Sequence, residues 1–320
     1  MYLEKFYVNE CECSMKLTVG ATALDLFKRR FFKHYFMRTD NEQYLNDYER
    51  RAYRGGRVEV FKRGLQTVRS YDVNSMYLSI MRDNSLPDPT SALYIENGGK
   101  WRNYFDEYDG IFNVTIHAPC ENKIGILPYV MPPDNKLIFP CGVFKGFYTN
   151  VELKYALENG YEIVNVNDFI IYKRSFPYFK DYADYIWSKR KLYKSKGNVG
   201  MDLVIKKLGN SLYGKFSEQH DCGGFWGKAK DFLGDIAGLR LKTVFVKGIK
   251  YLSISSNKKE DSAHTFPVIS VFITSMARLK LTKALIANKD RIVYCDTDSI
   301  KLTGEINPVG ITIDNNLGSW

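Results

Sequence analysis

The order of elements along this 320-residue chain predicts an α+β fold, with helices lying against an antiparallel sheet. Three observations carry that expectation. Residues 178–215 and 266–289 read as helices, whereas residues 109–172 alternate apolar and polar in short runs broken by Gly, Pro and Asn. Residues 291–304, RIVYCDTDSIKLTG, read as a hairpin with β-rich runs on each side of an acidic turn.

From the start, residues 1–50 read as short elements with a basic, aromatic helix around 25–37. RAYRGGRVEVFKRG (51–64) joins a Gly-Gly break to a basic stretch, and a strand is expected over 66–73. A short Ser-opened helix follows at 75–82, then a break at Pro87 and Pro89. Within 109–172 one helix, TNVELKYALENG, interrupts the strands, with Thr149 or Asn150 as its cap and Gly160 as its stop. The 178–215 stretch becomes strongly basic through SKRKLYKSK (188–196). Residues 217–263 are glycine-rich and read as irregular, and the 266–289 helix carries VFITSMARLKLTKALI.

Composition narrows the class. Lys and Arg number 46 against 36 Asp and Glu, a net charge of +10, which favours a polyanionic partner such as nucleic acid. The 23 tyrosines supply flat faces for bases and hydroxyls for phosphates, although most such rings fill cores. The six cysteines show no paired or metal-ligand spacing; Cys11 and Cys13 form a lone C-x-C. The first residues are too polar for a secretory signal, and no apolar run is long enough to span a membrane. A reduced, cytoplasmic setting is the expectation.

The chemistry concentrates in three places. Asp296 and Asp298 stand two apart at the turn between apolar strands, so their side chains share a face. Two anions held side by side call for a cation, and Mg²⁺ characteristically takes one or two carboxylates plus substrate phosphates; a solvated acidic turn is the alternative. Asp72 ends the strand QTVRSYDV just before a helix, and if the two elements neighbour each other, Asp72 and Asp298 could bridge two metals for in-line phosphoryl displacement. In KKLGNSLYG (206–214), Lys206, Asn210 and Tyr213 follow i, i+4, i+7 and share one helical face, a cation, an amide and a ring suited to a nucleoside triphosphate. A merely solvated face is the alternative there.

Together these segments resemble the family B DNA polymerases: SYDVNSMYLS resembles motif A, KKLGNSLYGKF motif B and YCDTDS motif C, in the right order. YRGG (53–56) resembles the Tyr-x-Gly-Gly element of the protein-primed branch, and TSMAR (274–278) its Thr-x-x-Ala/Gly-Arg element. That branch includes polymerases of small linear-genome phages, adenoviruses and linear plasmids. The resemblance covers most of residues 50–320. It implies a palm of antiparallel sheet backed by helices, helical fingers and two branch-specific insertions. The corresponding segments are a linker over 1–65, palm over 66–100, palm extension and first insertion over 101–177, fingers over 178–216, second insertion over 217–264 and palm again over 265–320.

The resemblance further implies roles. Asp72, Asp298 and the carbonyl of Val73 would hold two Mg²⁺, or Mn²⁺ in their place, with Asp296 supporting them. Tyr77 would stack under the sugar and exclude a 2′-hydroxyl. Lys206, helped by Lys194, would hold the incoming dNTP, with Asn210 and Tyr213 beside it. Ser211 and Gly214 would line the nascent pair and template; Ser75, Tyr53, Gly55, Gly56, Thr274 and Arg278 would contact DNA. A primer, a template and a terminal priming protein would be the partners, with no membrane. Leu78 departs from the family, which usually has Pro there. No acidic exonuclease motifs precede YRGG, and the sequence stops at LGSW (317–320) where a thumb would follow, so exonuclease domain and thumb are expected to be missing. A catalytically silent DNA-binding remnant is the second reading. A reverse transcriptase-like enzyme is the third, and DTD in place of adjacent aspartates argues against it.

Overall fold

Four short segments from opposite ends of the chain meet in one sheet. The computed structural model describes residues 2–320 except 35, 40–41, 222–223, 233–238, 257–258, 263 and 305–306. In chain order the principal elements are α1 (Val19–Arg30), α2 (Gln43–Arg50), β1 (Val58–Val60), β2 (Val68–Asp72) and α3 (Met76–Asp83). Next come β3 (Ala92–Ile95), β4 (Asp109–Ala118), β5 (Gly142–Thr149), α4 (Asn150–Glu158) and β6 (Glu162–Tyr172). They are followed by α5 (Lys180–Ser195), α6 (Val199–Lys215), β7 (Gly224–Lys228), β8 (Arg240–Val246) and β9 (Ile249–Ser255). The last are α7 (Pro267–Ala287), β10 (Ile292–Asp296) and β11 (Ser299–Thr303). The result is the mixed α+β architecture expected.

The first sheet runs β1-β10-β11-β2, antiparallel throughout. The second runs β3-β6-β4-β5, also antiparallel, and α4 sits after its edge strand. Thr149 caps α4 by accepting from the amide of Glu152, and Gly160 follows the helix with φ +83°, as its sequence signals require. Between the sheets lies α7, opened by Pro267 and buried on nearly all sides through Val268, Ile269, Val271, Phe272, Leu281 and Leu285. Each such side chain withdrawn from water contributes about 1.5–3 kcal/mol, so α7 is the spine on which the rest is fixed.

Several boundaries differ from expectation. The first helix lies at Val19–Arg30 rather than 25–37, because Thr18 caps it early and Phe31, Phe32 and Phe36 turn into an aromatic cluster with Tyr178, Tyr182 and Phe266. The 178–215 region is two helices, broken where Gly197 takes φ +66° and Asn198 caps the second. The described residues of 217–263 are not irregular: β7, β9 and β8 form a three-stranded antiparallel sheet, and Gln219–Asp221 pairs with Lys259–Asp261. The cysteines also correct the reading. Cys120 and Cys141 form a disulfide with Cα atoms 5.0 Å apart, because β4 and β5 pair Ala118, two residues before Cys120, with Gly142, the residue after Cys141. Cys11, Cys13 and Cys295 are free and buried. Among the described residues no helix is long and apolar enough to cross a membrane.

Candidate active site

Strand register brings the predicted carboxylates together. Asp296 pairs with Ser299 across the β10–β11 turn, and Ser299 pairs with Asp72 at the end of β2. The amide of Val73 then donates to the carbonyl of Asp298 at 2.9 Å, which stitches the end of β2 to the turn itself. Asp72 and Asp298 therefore stand at one corner of the sheet, where β2 hands over to α3. Asp296 stays exposed on the turn and accepts from the hydroxyls of Thr297 (3.0 Å) and Tyr294 (3.3 Å).

Burial and like charge set the electrostatics of that corner. Burial pushes the Asp72 carboxyl above the usual carboxylate range, and the positive charge of Lys206 opposes the shift. Asp298 is raised as well, first by burial and then by Asp72, with Lys206 pulling the other way. Two mutually repelling carboxylates beside the Val73 backbone make an all-oxygen donor set, which suits Mg²⁺ or Mn²⁺. Among the described residues no group of three or more His, Cys, Asp or Glu side chains with metal-holding geometry occurs, so any cation here would need a backbone or substrate oxygen as well.

Helix α6 faces this corner. Lys206 is exposed and Asn210 half-buried, while Tyr213 stacks on Tyr77 of α3 with ring centroids 4.5 Å apart. Helices α5 and α6 approach closely because Gly209 has no side chain; a Cβ there would come within 2.9 Å of Ile186 Cγ2 on α5. Ser211 bonds back to the Lys207 carbonyl, and Gly214 opens onto free space. Lys194 is exposed in the last turn of α5. The structure thus gathers Asp72, Val73, Asp298, Tyr77, Lys206 and Tyr213 into one neighbourhood.

Other expected contact residues are placed differently. Ser75, expected on DNA, is buried in a left-handed conformation (φ +52°), and its hydroxyl accepts from Arg190, which also pairs with Asp202. Thr274 is buried in α7 and bonds back to the Val271 carbonyl. Arg278 is buried too; it pairs with Glu152 at 2.8 Å and donates to the carbonyls of Arg54 and Gly55. Arg278 therefore holds the YRGG segment from inside, and neither buried side chain, Thr274 or Arg278, is turned to the surface. Within that segment Tyr53 is half-buried and Gly55 exposed. Gly56 packs against the acidic turn, where a Cβ would come within 2.8 Å of Thr297 Cγ2. In sequence Arg190 reads only as part of the basic run 188–196 and Glu152 carries no signal; their buried partners, Ser75 and Asp202 for one and Arg278 for the other, reveal both.

The sequence profile of "DNA polymerase type B, organellar and viral" matches residues 1–316. The DNA polymerase of Bacillus phage Nf is 28% identical over 288 residues, covering 85% of this chain and 46% of the phage protein. A probable DNA polymerase of Neurospora intermedia is 24% identical over 310 residues, covering 93% of this chain and 31% of its own. Among solved structures, phi29 DNA polymerase complexed with primer-template DNA and incoming nucleotide substrates superposes with a TM-score of 0.73 at 23% identity. That likeness in fold extends over 98% of this chain and 53% of the phage chain. The chain spans about half, or less, of the length of these relatives.

Proposed function

The chain belongs to the organellar and viral type B DNA polymerases, and on that premise we propose that it catalyses template-directed transfer of deoxynucleotides onto a primer hydroxyl. At initiation that hydroxyl belongs to a terminal priming protein, as in the branch that YRGG and TSMAR resemble. One observation carries the reading: the Ser299–Asp72 register sets Asp72 and Asp298 at the same strand end, under the charge of Lys206.

In this reading Asp72, Asp298 and the Val73 carbonyl would hold divalent cations, which would supply Lewis acidity to the primer hydroxyl and the transferring phosphates. The remaining work is positioning and charge stabilisation by the chain itself. Lys206 neutralises charge on the incoming triphosphate. Tyr77, backed by Tyr213, forms the wall against a 2′-hydroxyl, while Asn210, Ser211 and Gly214 line the nascent pair. Tyr53 and Gly55 lie towards the DNA backbone. The first sheet and α7 serve as palm, and α5 and α6 as fingers. The second sheet apart from β3 falls in the palm extension and first insertion, and β7–β9 in the second insertion.

Primer extension with and without Mg²⁺, alongside Asp298→Asn, tests the proposal. Mg²⁺-dependent product from the unmodified chain and none from the variant is the expected outcome. Salt-sensitive DNA binding without product would instead leave a DNA-binding chain that does not catalyse.

A further inference from the structure

We propose that Arg57 is a positioning residue for the acidic turn, gripped from its far side by the loop that the Cys120–Cys141 disulfide closes. The proposal rests on the reading of that turn as catalytic. Arg57 lies directly after YRGG, yet its side chain is fully buried (0% exposed) and every part of it is engaged. Nε and Nη2 donate to Glu59 Oε2 at 2.9 and 2.6 Å, and Nη1 donates to the Gly125 carbonyl at 2.7 Å and to Thr282 Oγ1 at 3.4 Å. The guanidinium lies 3.9 Å from the centroid of the Phe139 ring.

Gly125 and Phe139 come from opposite sides of the 120–141 loop, and they touch: a Cβ on Gly125 would lie 2.3 Å from the Phe139 carbonyl oxygen. The disulfide closes the loop behind them, so both jaws of the grip are joined at their base. At the other end of the residue, the Arg57 carbonyl accepts the Thr297 amide at 2.8 Å, and the preceding Gly56 packs on the Thr297 side chain. Thr297 stands between Asp296 and Asp298 with φ +55°, a conformation that a β-branched residue rarely adopts and that surrounding structure must hold. The carbonyl of Arg57 does that holding. Its own position is set by a side chain anchored on Glu59, on α7 through Thr282, and on the closed loop.

The test uses the whole chain and two readouts that need no catalysis: terbium luminescence as a probe of cation binding at the turn, and hydrogen exchange of the 292–303 hairpin. Asp298→Asn should abolish the terbium signal and calibrates it. Arg57→Ala should weaken terbium binding by about 10- to 100-fold, the range for losing a group that orients metal ligands. It should also speed exchange at Thr297 and Asp298 while the α7 amides keep their protection. Arg57→Lys should restore part of both, and Cys120→Ser with Cys141→Ser should move both in the same direction by less. Wild-type binding and exchange in folded Arg57→Ala or Arg57→Lys would overturn the proposal. If Arg57→Ala does not fold, Arg57→Lys and the double serine variant decide it. If the unmodified chain binds no terbium at Asp298, the catalytic reading of the turn fails, whereas the exchange data still judge the grip on Thr297.

Discussion

Tyr77 and Tyr213 stack with their planes 16° from parallel, one ring from the helix after Asp72 and the other from the helix of Lys206. An offset ring pair of this kind adds about 0.5–1.5 kcal/mol beyond burial, so each ring restrains the other. The proposed sugar wall is therefore a two-residue device. Tyr77→Val should raise ribonucleotide use relative to deoxynucleotide use, because an apolar pocket alone rejects an added hydroxyl only about 10²-fold. Tyr213→Ala should shift selectivity the same way by less. The ratio of kcat/KM for the two sugars is the measurement, and unchanged selectivity in Tyr77→Val would remove Tyr77 from this role.

Asp72→Asn and Asp298→Asn should each lower extension by at least about 10²-fold, the scale for removing one preorganised electrostatic group. Neither should lower stability by more than about 1 kcal/mol, since each substitution removes a like-charge neighbour rather than a core contact. Extension rates and chemical denaturation separate the two effects. Robust extension by either variant would sink the ligand assignment.

The raised carboxyls make a pH signature. Burial and mutual repulsion lift Asp72 and Asp298 above the ordinary carboxylate range, so the folded chain holds their protons more tightly than the unfolded chain does. The resulting penalty is absent in acid, where both are protonated in either state. It grows as pH rises from the unfolded carboxylate value, near 4, through the raised folded values, and then levels off. Without metal, Asp298→Asn should therefore gain stability over the unmodified protein as pH rises through this window, and Mg²⁺ should shrink the gain. Thermal melts across the range check it; a gap that does not change with pH would show that the two carboxylates do not strain each other.

The parts of this site that sequence made legible are those governed by local periodicity. The i, i+2 spacing of Asp296 and Asp298 and the i, i+4, i+7 stripe of Lys206, Asn210 and Tyr213 depend only on strand and helix geometry. The register that sets Asp72 beside Ser299 is tertiary, and motif order stood in for it. Burial was the blind spot. Ser75, Thr274 and Arg278 are polar residues in motifs, and nothing local distinguishes a polar side chain facing DNA from one satisfied inside. Cys120 and Cys141 likewise meet only because the strands flanking them pair, and glycines at 224 and 227 masked the alternation of β7.

Arg278 provides the sharpest check on that distinction. Its guanidinium, 2% exposed, donates through Nε and Nη2 to Glu152 Oε1, itself buried, and through Nη1 to the Arg54 and Gly55 carbonyls. Arg278→Ala strands a buried carboxylate and should cost about 3–5 kcal/mol in urea denaturation. Arg278→Lys should recover little, because one ammonium cannot serve the carboxylate and two carbonyls in the planar fork that Arg provides. Replacing both charges together, Arg278→Met with Glu152→Gln, should recover most of the loss, since no unpaired ion remains. A DNA-facing arginine behaves in the opposite way. Its removal would cost under about 1 kcal/mol of stability and reduce the salt dependence of DNA binding by about one counterion. That second pattern would return Arg278 to the nucleic-acid surface.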